Sequence, residues 1–551
     1  IEIVPIIPPL VENAAVVDLQ SQDVVIQRNT PATFIAEIRY WGDAPRNGTT
    51  AALRVEGSVV ATQSVDLIPG QTRLVEFRDI PVDVPTDAGV GFAAVEVSLS
   101  ADNLSTDDTL TRLFPVVDRF PITFVDQYGE REDPTIDRLG DTYRLRRLLL
   151  SAGPLGPDAR SAIRHTTIDR LDRELLAESR VVVMAGVRSP EDKVPLLREF
   201  VAQGGRLLIA PGSDFDPVAW NELAWNDGRG ILPGSVGLIP IGALPSETSE
   251  PLHPFQLDFA TCTDDCFFLP GTTRDQLEQL YRTAFFFKAL PIDIAANTGG
   301  ADQAARGEPP VSATPVLPEP WLSWAESDFT LRPQTDTFTD ITAVLARYDN
   351  GNPFAVERRL GKGRVVFLSS GVFRDWNTLT VTPAVLYLDR LLRTLLYETF
   401  PDRNVHTADT LTIPVPASLS HAQCRLTRPD GSTTAVPIGA VDAEHWGIAL
   451  DGMPLRGEYR LRIEDGAESG DFAQRHLRFA AIGPIEESEL TYAEASTLEE
   501  RPFVRRNDAR ATASAAGRTG SWWRWFMLAA LVGLAFEMVV LARRQRKEAA
   551  P

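Results

Sequence analysis

The sequence predicts a multidomain protein in four parts: an all-β sandwich, a doubly wound α/β domain, a small second β domain and a single C-terminal transmembrane helix. Three observations carry this. Apolar residues alternate with period two over the first part, strand-like runs then alternate with helix-length amphipathic ones, and the chain closes on an apolar run close to the roughly 20 residues that span a bilayer. At 551 residues the chain exceeds what one core serves. A 44% hydrophobic share with 23% charge is the balance of a folded protein. The net charge of -21 sets the chain against a phosphate backbone, so no nucleic-acid partner is expected.

Residues 1–117 read as the sandwich. In PATFIAEIRYWG, Phe34, Ala36, Ile38 and Tyr40 share one face, and in AAVEVSLS, Ala93, Val95, Val97 and Leu99 alternate with Ala94, Glu96 and Ser98. EGS and IPGQT supply turns at sandwich spacing. A spacer role is expected here, with surface binding as the other reading. No signal peptide precedes it and the first residue is Ile1, so a processed chain or the later part of a longer polypeptide is expected.

Residues 118–402 change rhythm. PITFVDQYG is a strand, TYRLRRLLLSAG a helix, SRVVVMAGV a strand, KVPLLREFVAQGG a helix closed by glycines and RLLIAPG a strand, the order of a parallel doubly wound sheet. An insertion occupies about 212–340. Hairpin-like strands around DNGN follow, then the helix PAVLYLDRLLRTLLYE from Pro383 to Glu398.

Residues 403–482 return to β structure. CRLTRPDGSTTAVPI carries a Pro-Asp-Gly turn, and LRGEYRLRIEDG reads as a late strand of an immunoglobulin-like domain, with Tyr459 where a tyrosine corner forms. Residues 483–520 run from acidic EESEL to RRNDARATASAAGRTG, a composition that buries little and is expected as a flexible stalk.

Residues 522–542 are the expected membrane helix, with an apolar run from Trp525 to Ala542 interrupted only by Glu537. Trp522, Trp523 and Trp525 belt one interface, while Arg543, Arg544, Arg546 and Lys547 crowd the other. The tail 543–551 is therefore expected in the cytoplasm and the bulk outside it, although Arg505, Arg506, Arg510, Arg518 and Arg524 dilute the asymmetry. Ala529, Gly533 and Glu537, four apart, share a face that either docks another transmembrane helix or lets Glu537 snorkel to the headgroups.

Chemistry was sought at the strand ends of the α/β domain. The elbows AGVRSPED and APGSDFDP carry no Cys and no G-x-S-x-G, which leaves Ser213 as the hydroxyl at a plausible elbow, in need of a histidine base. Of six histidines, His165, read here as helical, and His253 in the insertion fall within this domain. The stretch LGKGRVVFLSSGVFRDWNTL ends at the edge where such sheets present their sites. Ser370, Arg374, Asp375 and Trp376 are the candidates there, either for a polar ligand or for a local ion pair with Trp376 packed on the sheet edge. No phosphate-cradling G-x-x-x-x-G-K-[ST] is present and no D-x-S-x-S, so no cofactor or metal is expected. Cys262 and Cys266 in CTDDC are read as a disulfide or as free thiols rather than metal ligands.

IPGQTRLVEF and LSADNLSTDD, then ARYDNGNPFAVERRLGKGRVVFLSSGVFRDWNTLTVTPAVLYLDRLL, the PDG and GEYRL strands, EESEL and the terminal apolar run together resemble large bacterial membrane proteins of the BatA (aerotolerance-associated) type. The run from Ala346 to Leu392 carries most of it. The resemblance implies a CARDB-type β module and a flavodoxin-like α/β domain similar to class I glutamine amidotransferases without their Cys, His and Glu. It implies an inner-membrane protein that works with von Willebrand A proteins and a MoxR-type AAA ATPase. The N-terminal membrane helices and von Willebrand A domain usual in such proteins are not in this sequence. The expected function is a non-enzymatic, membrane-anchored extracytoplasmic scaffold with membrane-protein partners. The alternative is a carbohydrate-binding or hydrolytic protein, for which Trp220, Trp225, Trp321 and Trp324 would be sugar platforms.

Overall fold

A computed structural model describes residues 12–86, 89–102, 104–151, 163–212, 214–244, 246–247, 249, 253–269, 272–294, 340–373, 375–415, 421–440, 446–464 and 474–488. The stalk, the expected membrane helix with Ala529, Gly533 and Glu537, and the interface residues Trp522, Trp523, Trp525, Arg543 and Arg544 lie outside them. Among the described residues no helix is long and apolar enough to cross a membrane.

Alternation builds the first domain. Strands β1 (Asn13–Ser21), β3 (Pro31–Trp41) and β6 (Thr72–Pro81) form one antiparallel sheet. The short β2 (Ile26–Gln27), then β8 (Thr109–Val117), β7 (Val90–Leu99), β4 (Arg46–Val55) and β5 (Ser58–Leu67), form the other. The residues predicted to face inward do so: Phe34, Ala36, Ile38, Ala93, Val95 and Val97 are fully buried in one core. Phe34 meets Phe114 edge-to-face across that core at 5.4 Å. The EGS turn joins β4 to β5 with Glu56 and Gly57 both at positive φ, the backbone a two-residue hairpin needs.

The central domain carries an eight-stranded sheet. Its parallel part runs β10 (Arg164–Thr166), β9 (Ile122–Val125), β11 (Val181–Ala185), β12 (Arg206–Ala210) and β20 (Gly363–Leu368). In chain order this is 2-1-3-4-5, the flavodoxin-like arrangement. The antiparallel β19 (Pro353–Leu360), β18 (Ile341–Tyr348) and β15 (Leu257–Asp258) extend it. Near-continuous apolar runs such as Val181–Ala185 are what burial on both faces requires. Val181, Val183 and Ala185 pack with α1 (Tyr143–Ser151) and the late helix α6 (Leu386–Tyr397). Val182 and Met184 pack on the opposite face with α2 (Arg173–Ala177) and α3 (Val194–Ala202).

The described part of the insertion is tied to this sheet. It holds the short helices α4 (Pro217–Trp220) and α5 (Arg274–Tyr281) and the strand pairs β13 (Ser235–Val236) with β17 (Ile292–Asp293) and β14 (Ile241–Gly242) with β16 (Lys288–Ala289). It also supplies β15, the edge strand. Arg358, 1% exposed on β19, donates to the carbonyls of Gly228, Gly230 and Leu232 and pairs with Asp340. Trp220 and Trp225 are buried in this core, Trp220 stacked on Phe215 at 5.0 Å, so neither is a sugar platform. Trp321 and Trp324 lie outside the described residues.

The last domain is a second sandwich. One sheet runs β21 (Asn404–His406), β28 (Gln474–Ile482), β27 (Gly457–Glu464), β23 (Gln423–Thr427) and β24 (Thr433–Val436). The other runs β22 (Thr410–Val415), β26 (Trp446–Asp451) and β25 (Gly439–Ala440). Its expected tyrosine corner is formed: the Tyr459 hydroxyl donates to Leu455 O at 3.0 Å and accepts from Leu455 N at 3.1 Å.

Candidate functional site

In a 2-1-3-4-5 sheet the crossovers leave the first strand on opposite sides, so a crevice opens beyond the carboxyl ends of strands one and three. Here that place lies at the ends of β9 and β11. Asp126 is the first residue after β9. His165 stands on β10, opposite Phe124 in the ladder. This corrects the helical expectation for His165: the three residues Arg164–Thr166 pair parallel to β9, a strand too short to show a period.

The Asp126 side chain has no solvent exposure and accepts four hydrogen bonds. Oδ1 accepts from the backbone of Tyr128 at 3.0 Å and Gly129 at 2.9 Å, and Oδ2 from Thr142 Oγ1 at 2.6 Å and His165 Nε2 at 2.9 Å. Burial would raise this carboxyl, but the His165, Thr142 and Gly129 donors outweigh it and hold the group below its ordinary value. A carboxylate accepts only, so His165 places its proton on Nε2, and in the neutral ring Nδ1 is the acceptor.

A second layer surrounds the pair. Glu132 accepts on Oε1 from Gly140 N at 2.9 Å and from Arg146 of α1 at 2.6 Å, and Arg146 Nε donates to Thr142 Oγ1 at 3.0 Å. Asp141, 4% exposed, is bonded to the Gln127 amide at 2.9 Å. Glycine is required here for contact as much as for backbone freedom. A Cβ on Gly140 would meet Asp126 Oδ2 at 2.0 Å, and one on Gly186, whose φ is +64°, would meet Asp141 Oδ2 at 2.2 Å.

Ligand atoms of Asp126, Glu132 and His165 lie within 4.8 Å of one another, a metal-like spacing. The chemistry does not fit an ion. Asp126 already carries four donors, its full complement, and the Arg146 guanidinium is already paired with Glu132 at 2.6 Å. What the arrangement can do is hold an imidazole in one orientation beside a buried carboxylate, as the base-orienting half of a triad does.

The stretch singled out in the sequence sits at the end of β20. Ser370, 1% exposed, donates to Lys288 O at 2.9 Å and accepts from Asn377 Nδ2 at 2.9 Å. Ser369 is bonded to the Tyr348 hydroxyl at 3.0 Å. Trp376 is buried in the core, with Lys288 Nζ 5.2 Å from its ring centroid. Asp375 is exposed. Arg374 and Ser213 lie outside the described residues. Ser370 and Trp376 are thus brought together through Lys288, as joints between the insertion and the sheet.

Of the two readings of CTDDC, disulfide or free thiols, the second is the one present. Cys262, Cys266 and Cys424 are buried free thiols, and Cys262 and Cys266 are not joined. Burial pushes Cys262 up to about 12 and Cys266 higher still, which leaves them poor ligands and nucleophiles. Asp264 between them pairs at 2.5 Å with Arg364, which also holds Glu357 and Glu398. CTDDC is a pillar under the sheet. Sequence reasoning examined the ends of β11 and β12 and passed over FVDQYG, where an acid directly after the first strand was the available signal.

No family model matches the sequence, and no curated protein does. Among solved structures, the CARDB domain of a Pyrococcus furiosus protein is 15% identical, with 20% of this chain and 97% of that one covered and a TM-score of 0.17. A domain of a cell surface protein from Methanosarcina acetivorans is 23% identical, with 19% of this chain and 93% of that one covered and a TM-score of 0.17. The β-galactosidase of Bacillus circulans is 11% identical, with 60% of this chain and 41% of that one covered and a TM-score of 0.26.

Proposed function

We propose that this chain is a non-enzymatic scaffold of the bacterial envelope, anchored in the inner membrane by residues 522–542 and offering protein-binding surfaces outside the cytoplasm. The observation that carries the reading is how the polar groups at the carboxyl edge of the sheet are used. Asp126, His165, Ser369, Ser370 and Asn377 are bonded to one another, to Tyr348 or to backbone, which holds structure at an address where enzymes keep groups open to substrate. The BatA-type resemblance of Ala346–Leu392 adds von Willebrand A proteins and a MoxR-type AAA ATPase as the partners to seek.

Affinity purification from native membranes in mild detergent, with co-purifying proteins identified by mass spectrometry, tests this. Recovery of those partner classes supports the scaffold, and recovery of the chain alone speaks against it. One observation favours the hydrolytic alternative, the oriented Asp126–His165 pair. If the full chain turned over amide, ester or glycosidic substrates and His165→Ala abolished the turnover, the scaffold reading would fail.

A further inference from the structure

We propose that the loop between β7 and β8 of the first sandwich is a binding site for a hard divalent cation of the calcium type, formed by Asp102, Asp107 and Asp108 where β1 begins. The loop reads SADNLSTDD, and oxygen atoms of the three aspartates lie within 4.8 Å of one another. Three carboxylates so close repel, and a folded protein keeps them together by placing a cation or a proton among them; burial and the neighbouring Asp102 carboxylate push Asp108 up to about 6. The protein supplies little: Arg46 reaches Asp102 at 3.5 Å from a side chain that is 26% exposed.

A second observation, separate from the crowding, points into the same place. Asp107 and Asp108 are 1% and 4% exposed, yet each keeps an Oδ1 with no hydrogen-bond partner. Asn13, fully buried and bonded through Nδ2 to Asp107 Oδ2 at 2.7 Å, also has an unpartnered Oδ1. Buried oxygens without donors are rare in folded proteins because each forfeits the hydration that it had in water. Here they belong to neighbouring side chains, Asp107 being bonded to Asn13 and lying in the same carboxylate cluster as Asp108.

The remaining bonds orient the loop without saturating it. Asp102 accepts from Ala14 N at 2.7 Å and Leu104 N at 2.9 Å, and Asp108 Oδ2 accepts from Asp102 N at 3.3 Å. The donor set is all oxygen and all hard, which selects calcium-like ions over zinc or copper. The site also has a mechanical consequence. Asn13 Nδ2 donates to Ser488 O at 2.8 Å, across 475 positions of sequence. A cation on Asp107 therefore braces the clasp between the first strand and the last described turn.

The test uses the full chain in mild detergent, stripped with a chelator. Equilibrium dialysis against calcium should give one saturable site, half-filled between about 10⁻⁴ and 10⁻³ M, the range of extracellular calcium modules. Calcium at tenfold excess over that value should raise the melting temperature of the first domain by a few degrees. Asp107→Asn should lose both effects, and Asp108→Asn should weaken binding at least tenfold while circular dichroism stays that of the wild type. Glu132→Gln, at the other carboxylate cluster, should change neither. No binding by the wild-type chain up to 10 mM calcium, about ten times the weak end of that range, would overturn the proposal. So would binding that persists unchanged in Asp107→Asn or disappears in Glu132→Gln. The wild-type measurement decides the matter even if a variant fails to fold.

Discussion

Asp126 collects four hydrogen bonds on one side chain, in a place without solvent. Removing it would leave His165, Thr142 and two backbone N–H groups without their acceptor. Asp126→Ala is expected to destabilise the α/β domain by about 3–5 kcal/mol, the range for breaking a buried charged contact, and Asp126→Asn by less because one acceptor oxygen remains. The fall in the urea midpoint of that domain's transition measures it. The pH dependence has a definite sign. The folded-state value lies below the unfolded one, so the contribution is present above the unfolded carboxylate value of about 3.9 and is lost as pH falls through the folded one. The Asp126→Asn chain should show a shallower loss of stability in acid, and an unchanged acid slope would mean that the pair contributes nothing.

At the scale of elements, the tyrosine corner is a test of how one side chain fixes a strand. The Tyr459 hydroxyl both donates to and accepts from Leu455, which pins the turn before β27 so that its strand enters in register with β28. Tyr459 is 1% exposed and its ring stacks on Phe479 at 5.3 Å. Tyr459→Phe keeps the ring and removes both bonds, so a loss of about 1–2 kcal/mol is expected, with the Leu455 amide exchanging faster with solvent deuterium. A phenylalanine variant with wild-type exchange at Leu455 would remove the corner's role. This element was legible because GEYRL sets the residue in its strand. The β10 strand was not, since Arg164–Thr166 is held by β9, which lies about 40 residues earlier, and three residues carry no period.

At the scale of the whole molecule, the first and last sandwiches meet along β8. The Asn404 side chain accepts from Leu113 N at 2.8 Å and donates to Leu113 O at 2.9 Å, pairing an edge position of β8 as a neighbouring strand would. Arg478 reaches Glu56 at 3.0 Å and Phe92 O at 3.2 Å, and the Arg403 guanidinium lies 5.0 Å from the Phe92 ring centroid. Asn404→Ala leaves two backbone groups unpaired, about 1–3 kcal/mol each. The last domain is expected to unfold in urea separately from and before the first in that variant, and limited proteolysis should release it sooner. A single unchanged transition would show that the Asn404 bonds do not hold the two domains together.

What the sequence determined by itself were the properties carried by local pattern. Alternation predicted the first sandwich, a turn and a tyrosine-bearing strand predicted the second, apolar runs predicted the buried strands Val181–Ala185 and Arg206–Ala210, and PDG, DNGN and EGS marked turns whose glycines take positive φ. Ser370 lies two residues past the end of β20, where the plainly apolar strand Gly363–Leu368 puts it. Tertiary structure alone decided the site. Asp126 meets His165 39 residues away, and Asn13 meets Asp107 across 94 positions. It also kept Cys262 and Cys266 apart as buried thiols, with Asp264 between them drawn to Arg364 across 100 positions. Period and propensity act over a few residues, whereas desolvation and charge act on whatever the fold brings within a few ångströms.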